Sequence, residues 1–418
     1  MARLEVSEAS EFWGEIDPPG DKSITHRAYM ISAVSEEGGI VEGALASQDC
    51  EQTLQVLRDL GVRIIVSGDA VKIAGTPFRS PNRPLYCGNS GTTMRLMSGL
   101  LAGAGVSATL TGDSSLSQRP MGRIVAPLLQ MGARIEGDSP PIKIDPARLS
   151  GISYTTPVPS AQIKSAVLLA GLFAEGKTTV NETVLSRDHT ERMLAAAECR
   201  LHRDGLTVSI EQGMPKRVRM RVPADISSAS FFLVAGALLG GPVTAKVVGI
   251  NPARTGVLDI LRAVGATVET TPPRQQQGEP VADLLVESAG GLRAFEIGAH
   301  EIPRLIDEIP VLAIMATQCE GTSKITGAKE LRVKESDRIE SIASGLKAMG
   351  ANVETFDDGL AITGPTALRG ARIDAKKDHR IGMAFAVAGL IADGTTTIDG
   401  AETIATSFPH FESELRRM

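Results

Sequence analysis

Residues 160–180 read SAQIKSAVLLAGLFAEGKTTV. A serine opens the stretch, an Ala- and Leu-rich run follows, and a glycine then leads into the β-branched TTV. Serine suits a helix start, glycine a helix end, and β-branched residues a strand. A run apolar on every side belongs inside a core. The same shape returns in TTMRLMSGLLAGAGVSATL (92–110), SSASFFLVAGALLGGPVTAKV (227–247), DEIPVLAIMATQCEGTSKI (307–325) and IGMAFAVAGLIADGTTTI (381–398). It appears first where GDKSITHR (20–27) runs into AYMISAV. With Gly38, Gly103, Gly176, Gly240, Gly321 and Gly394 as terminators, the spacings are 65, 73, 64, 81 and 73 residues. A period this long sets the architecture before any motif is read.

Between the copies lies a second element, an amphipathic helix that ends near glycine and is followed by two short strands. Examples are TLQVLRDLGVRIIVSGDAVKIAG (53–75), IVAPLLQMGARIEGDSPPIKIDP (124–146), VLDILRAVGATVETT (257–271) and IESIASGLKAMGANVETFDDGLAITG (339–364). Apolar residues recur at i, i+3 and i+4 in the helices and alternate in the strands. The fold class is therefore α/β, six βαβαββ-like units in two domains of three. A chain of 418 residues exceeds what one core accommodates, which agrees with that split. The sixth unit lacks its strands after FPHFESELRRM, and the leading strand candidate ARLEVSEAS would complete it. The expected domains are residues 20–222, and residues 1–19 with 223–418. The chain then crosses twice, near Pro18–Gly20 and near Arg221–Pro223. PPRQQQGEP (272–280) reads as a solvent loop without a site.

Composition narrows the function. Aromatic residues make up 3%, which disfavours stacking platforms for single-stranded nucleic acid. The formal charge of −6 disfavours a broad basic footprint, so any anion must be held by local clusters. Cys50, Cys87, Cys199 and Cys319 form no C-x-x-C pair and read as reduced thiols. The mixed, acidic MARLEVSEASEFWGE is unlike a secretory signal, and FFLVAGALLGGPV is too short and Gly-broken to span a membrane. The expectation is a cytoplasmic monomer without nucleic-acid or membrane partners.

The cations fall at the starts of repeat helices. GDKSITHR carries Lys22, Ser23 and Arg27. GNSGTTMR carries Asn89, Gly91, Thr92 and Arg95. PSAQIK carries Ser160, Gln162 and Lys164, and RVKESDR carries Lys334, Glu335 and Arg338. Spacings of three or four residues put hydroxyl and cation on one helical face. Helix starts attract phosphate, and arginine supplies paired donors to phosphate or carboxylate. LSQRPMGR adds Arg119, and KKDHRIGMAF adds Asp378, His379 and Arg380. One such start is most simply a capped helix with a solvated arginine. Several, all at the same end of the repeat, predict a shared cleft for a strongly anionic ligand. Asp307 and Glu308 open an apolar helix; they read either as charges favoured in a first turn or as acid–base groups. Glu335 reads as a surface ion pair or as a catalytic carboxylate. His26, His189 and His379 stand isolated, which argues against a metal.

Taken in order, GDKSITHR, GNSGTTMRL, SQRPMGR, PSAQIKSA, SRDHTERM, LIDEIP, RVKESDR and DHRIGMAF resemble the 5-enolpyruvylshikimate-3-phosphate synthase (3-phosphoshikimate 1-carboxyvinyltransferase) family of enolpyruvyl transferases. The likeness runs from about residue 18 to 411. It implies the two-domain enolpyruvyl transferase fold. It also implies transfer of the enolpyruvyl group of phosphoenolpyruvate to the 5-hydroxyl of shikimate 3-phosphate, with no cofactor and no metal. By the same resemblance, Lys22, Arg119, Arg338 and Arg380 hold phosphoenolpyruvate, with Asn89, Gly91 and Gln162 beside it. Ser23, Arg27, Ser160, Ala161 through its backbone, Gln162, Ser186 and Lys334 hold shikimate 3-phosphate. Asp307 sits at the 5-hydroxyl, and Glu335 or Lys22 supplies a proton to the methylene carbon. Glyphosate is expected to fit beside Gly91. Two positions depart from the pattern: Thr406 stands where many members carry lysine, and His189 where others carry tyrosine. The alternatives are a transferase acting on UDP-N-acetylglucosamine, which uses a loop cysteine as acid, and a non-catalytic binder of phosphorylated metabolites.

Overall fold

The computed structural model describes residues 2–288 and 290–418. The chain divides into two compact units. We call the one made of Gly20–Pro223 with Gln275–Glu279 the N-terminal unit. The other, the C-terminal unit, comprises the residues up to Pro19, Ala224–Arg274 and Pro280–Met418.

The N-terminal unit holds three four-stranded sheets of one design. In one, Leu85–Tyr86 pairs in parallel with Ala108–Thr111, followed by Ile142–Asp145 and then Arg134–Glu136, both antiparallel. The parallel pair encloses helix Gly91–Ala104, and helix Gly122–Gln130 precedes the hairpin. Ser153–Thr155, Lys177–Asn181, Thr207–Glu211 and Leu201–Asp204 repeat this order. In the remaining sheet the outer parallel strand, Val218–Arg221, comes from the far end of the unit and pairs with Gly39–Glu42. The last strand therefore closes a ring of three repeats.

The C-terminal unit repeats the pattern. Gly14–Ile16 pairs in parallel with Val243–Gly249, and Glu296–Ile297 with Gly321–Ile325. Arg372–Asp374 pairs with Thr395–Asp399, and Arg3–Ser7 adds to this sheet antiparallel, supplying a strand to the last repeat.

The first helix of each repeat is its core. Ala161–Gly171, Ile226–Leu239 and His379–Leu390 are buried on nearly all faces, as their uninterrupted apolar sequences require. Gly103 is not a terminator: it lies inside helix Gly91–Ala104, and the left-handed Gly105 ends the helix. A Cβ on Gly99 would lie 2.2 Å from the Ala166 carbonyl oxygen, and one on Gly103 2.6 Å from Phe173. These glycines let helices Gly91–Ala104 and Ala161–Gly171 pack closely, which sets their N-terminal ends side by side.

The segment expected as a solvent loop differs from that reading. Arg274–Gln276 pairs with Glu279–Glu287, and Gln277 and Gly278 at the tip both have positive φ, 47° and 87°. That is the backbone of a two-residue hairpin turn. Glu279 is buried and meets His189 at 2.8 Å. Among the described residues no helix is long and apolar enough to cross a membrane.

Candidate active site

In the N-terminal unit several of the expected site residues sit at or near helix starts. Asp21 caps helix Lys22–Val34, its carboxylate accepting from the Ile24 N–H at 2.8 Å. Lys22 places its ammonium 3.2 Å from Asp49 of helix Gln48–Asp59. Ser23 follows it, half-buried. Arg27 is only 3% exposed, so it is not a solvated arginine. Its Nε donates to Thr190 Oγ1 and its Nη2 to Ser165 Oγ, both at 2.8 Å, while Nη1 donates to the Ser23 carbonyl at 2.9 Å.

Beside it, Ser90 caps helix Gly91–Ala104. Arg95 donates to Gln162 Oε1 at 2.8 Å, and Gln162 Nε2 donates to Thr92 Oγ1 at 3.1 Å. Arg119 donates to Asn89 Oδ1 at 2.6 Å, and Asn89 donates to Asp113 at 2.7 Å. Gly91 lies between the two arginines: a Cβ there would be 2.8 Å from Arg95 Nη1 and 3.4 Å from Arg119 Nη1. Ser160 caps helix Ala161–Gly171 through a lone pair, accepting from Ile163 N–H at 3.4 Å. Ala161 is the first residue of that helix, where backbone N–H groups have no intrahelical acceptor. The start of this helix joins the Arg27 and Arg95 clusters through Ser165 and Gln162.

Ser186 lies in the loop ahead of helix His189–Ala196. It is buried, and both its hydroxyl and its N–H donate to Glu182 Oε1.

Under these clusters runs a polar thread. His26 Nδ1 meets Thr53 Oγ1, Thr53 meets Thr93, and Thr93 donates to the capping Ser90, each at 2.7 Å. Burial pushes the His26 imidazole down to about 3, with Asp49 opposing and Lys22 and Arg27 reinforcing the shift.

In the C-terminal unit the site is built on one guanidinium. Arg338 is 1% exposed and is met by three carboxylates. Its Nε lies 2.8 Å from Asp378 Oδ2, Nη1 3.2 Å from Asp307 Oδ1, and Nη2 2.7 Å from Glu335 Oε2. Burial alone would lower this guanidinium; Asp378, Glu335 and Asp307 outweigh it and hold it above its ordinary value. Lys334 Nζ is 4.0 Å from the same Asp307 oxygen. Asp378 also caps helix His379–Leu390 and accepts from Ser336. Arg380, in that first turn, is 4% exposed, and its Nη1 makes no hydrogen bond. The guanidinium lies 5.9 Å from the Phe231 ring centre. Glu308 is fully buried and takes a hydrogen bond from Ser227, so it belongs to the interior. Thr406 donates within its own turn, to the Thr403 carbonyl at 2.8 Å.

Each unit thus gathers its own set of motif residues. Asp49, Asp113 and Glu182 escape a reading of the motifs, because they meet them only through tertiary folding; Thr190 and Glu191 lie inside SRDHTERM, but nothing in its spacing points to Arg27 or Lys164. Among the described residues no group of three or more His, Cys, Asp or Glu is arranged to hold a metal ion.

Repeated α/β units that bring several buried arginines and carboxylates to their helix starts define a protein that handles small, multiply charged anions. A family model described as EPSP synthase (3-phosphoshikimate 1-carboxyvinyltransferase) matches residues 6–415, and the chain belongs to that family. The chain is 48% identical to a 3-phosphoshikimate 1-carboxyvinyltransferase of Brevibacillus brevis, covering 99% of each. It is 47% identical to one of Geobacillus kaustophilus, covering 98% of each. A solved EPSP synthase of Acinetobacter baumannii superposes with a TM-score of 0.89 at 43% identity, over 99% of this chain and 98% of that one.

Proposed function

We propose that this chain transfers the enolpyruvyl group of phosphoenolpyruvate to the 5-hydroxyl of shikimate 3-phosphate, releasing phosphate. The observation that carries this is the joining of Asp307 and Glu335 on the single guanidinium of Arg338, at 3.2 and 2.7 Å. Addition followed by elimination needs one group to take a proton and another to give one, close together. Asp307 takes the hydroxyl proton as the oxygen attacks C2 of phosphoenolpyruvate, and Glu335 or Lys22 delivers a proton to C3. The tetrahedral ketal then loses a C3 proton and phosphate, restoring the double bond.

In the same reading Arg27, Ser23, Ser160, the Ala161 N–H, Gln162, Ser186 and Lys334 hold shikimate 3-phosphate. Lys22, Arg119, Arg338 and Arg380, with Asn89, Gly91 and Gln162, hold phosphoenolpyruvate. Arg338 differs from the rest, because its Nη atoms already serve Asp307 and Glu335. A ligand carboxylate has to share or displace those contacts. The enzyme acts in the cytoplasm as a monomer, on small-molecule substrates.

The rival that uses a cysteine acid is disfavoured by Cys87, the cysteine nearest the Asn89 motif. It is fully buried, and burial pushes its thiol up to about 12. The test is phosphate release from phosphoenolpyruvate with either acceptor. Release with shikimate 3-phosphate alone is expected. Release with UDP-N-acetylglucosamine would establish the rival, and no release with either would establish a binder. Glu335→Gln then tests the proton donor: if Glu335 is the donor, the variant loses turnover with both KM values little changed, and if turnover persists, Lys22 is the donor.

A further inference from the structure

Asp307 takes the hydroxyl proton in the function proposed above, and Arg338 Nη1 orients its carboxylate at 3.2 Å. That contact does not fix Asp307 through a whole turnover, because a ligand carboxylate has to share or displace the same guanidinium. The backbone that carries Asp307 must then keep its place.

Asp307 lies in the turn between the short helix Ile302–Leu305 and helix Ile309–Ala316, in the C-terminal unit. The Glu308 N–H closes this turn by donating to the Leu305 carbonyl at 3.0 Å. Both flanks of Asp307 are tied to one segment, residues 252–259. Upstream, Arg304 Nε donates to the Pro252 carbonyl at 2.9 Å, and its Nη2 lies 2.8 Å from Asp259 Oδ2. Downstream, the fully buried Glu308 accepts from Ser227, whose oxygen in turn accepts from Arg254 Nη2 at 2.7 Å. Arg254 is itself buried and meets Asp225 at 3.0 Å. Between the two ties the packing is tight. A Cβ on Gly256 would lie 2.8 Å from Leu305 Cδ2, 3.0 Å from Leu305 Cβ and 3.2 Å from Arg304 Cβ. Gly256 is the first residue of helix Gly256–Val264, where the backbone suits any side chain. Its missing Cβ is what lets the turn approach.

Apolar residues filling the same space would often serve stability as well as a buried Arg254–Ser227–Glu308 chain. What charged and hydroxyl contacts add is direction, and proton transfer needs its groups held to within a fraction of an ångström. We propose that Arg304, Gly256 and the Arg254–Ser227–Glu308 chain are positioning residues for Asp307, acting through its backbone rather than on the ligands. The proposal rests on the role given to Asp307 above. Wild type that releases no phosphate with shikimate 3-phosphate, or Asp307→Asn with undiminished turnover, refutes that role, and this proposal falls with it.

With that role upheld, Arg304→Met is the decisive variant. It removes the upstream tie, and the side chain is 33% exposed, so the fold should tolerate the change. Calorimetric titration with shikimate 3-phosphate counts the binding-competent sites, and kcat is expressed per site. The expected kcat per site is lower by at least about five-fold, with the number of sites kept and both KM values within three-fold of wild type. A smaller fall, a larger change in either KM, or a loss of activity that only follows a loss of sites overturns the proposal; the last is what a merely structural role predicts. Gly256→Ala gives an independent decision under the same limits, also where Arg304→Met does not fold. Alanine is the better helix former, so helix Gly256–Val264 should not weaken, while the new methyl displaces Leu305 and the turn that carries Asp307.

Discussion

Arg27 and Arg338 are both almost fully buried, but their surroundings differ. Arg27 is seated on the hydroxyls of Ser165 and Thr190 and the carbonyl of Ser23. Arg338 is seated on the carboxylates of Asp307, Glu335 and Asp378. Neutral oxygens orient a guanidinium while leaving its charge to act on something else; carboxylates orient it and neutralise it. The N-terminal cluster is therefore suited to receiving anions. The C-terminal cluster is suited to holding two carboxylates in a fixed relation for proton transfer. A run of basic motifs suggests one uniform anion trap, and the structure divides the labour.

The strongest way to break this comparison is Arg338→Met. It leaves Asp378, fully buried, without its charge partner and lets Asp307 and Glu335 repel each other. The expected loss is about 3–5 kcal/mol in denaturant unfolding, as for a broken buried pair. Turnover should fall roughly 10³-fold. If stability is unchanged, the cluster is not the unit described. Arg27→Met comes next. Its neighbours are neutral, so the fold should tolerate it better. Affinity for shikimate 3-phosphate should fall by about 1.5–3 kcal/mol, the loss of a charge-assisted hydrogen bond. Steady-state kinetics with each substrate varied in turn would show this as a change in the KM for shikimate 3-phosphate alone. An equal change in both KM values would count against separate roles.

The contrast was only half legible beforehand. The repeat could be read because its helices are apolar all round and punctuated by glycine. One mark misled: Gly103 resembles a terminator, but it is there so that Ala170 and Phe173 can approach. The hairpin tip Gln277–Gly278 is hard to read because its turn lacks the Asn or Asp that normally marks positive φ. Lys22, Arg27, Gly91 and Arg338 stand out by motif. Which partner each one meets does not: Asp49 is 27 residues from Lys22, and Thr190, though inside SRDHTERM, is 163 from Arg27. Whether a cation faces a carboxylate or a hydroxyl is decided by such tertiary contacts, and local spacing carries no trace of them.

His26 sharpens the N-terminal side of the comparison. It lies fully buried beneath Lys22 and Arg27, and burial drives its imidazole down to about 3. The sign follows from the two states. The unfolded chain takes up a proton near pH 6.5, while the folded one resists until about 3. As pH falls below about 6.5 the unfolded state binds the extra proton, and stability is lost. At pH 5 the loss from this residue should reach about 2 kcal/mol relative to neutral pH. His26→Asn cannot take up that proton. Chemical denaturation of both proteins at pH 7, 6 and 5 should give converging curves; parallel ones would show that His26 is not held neutral.

The mildest change bears on the other arginine pair. A methyl group on Gly91 would stand 2.8 Å from Arg95 Nη1 and 3.4 Å from Arg119 Nη1. The first distance is too short to persist, but a guanidinium at the end of a flexible side chain yields more readily than backbone does. Gly91→Ala should therefore fold normally and pay only in geometry at the arginines, about 1 kcal/mol of overpacking. That corresponds to a KM for phosphoenolpyruvate raised about five-fold, with the KM for shikimate 3-phosphate unmoved. Glyphosate, a bulkier anion expected to occupy the same space, should lose more than the substrate does, so its inhibition constant should rise by a larger factor. If both constants rise equally, the methyl acts only by displacing Arg95 and Arg119. If only the inhibitor is affected, Gly91 guards space the substrate never uses, and the two arginines are less tightly seated than Gln162 and Asn89 make them.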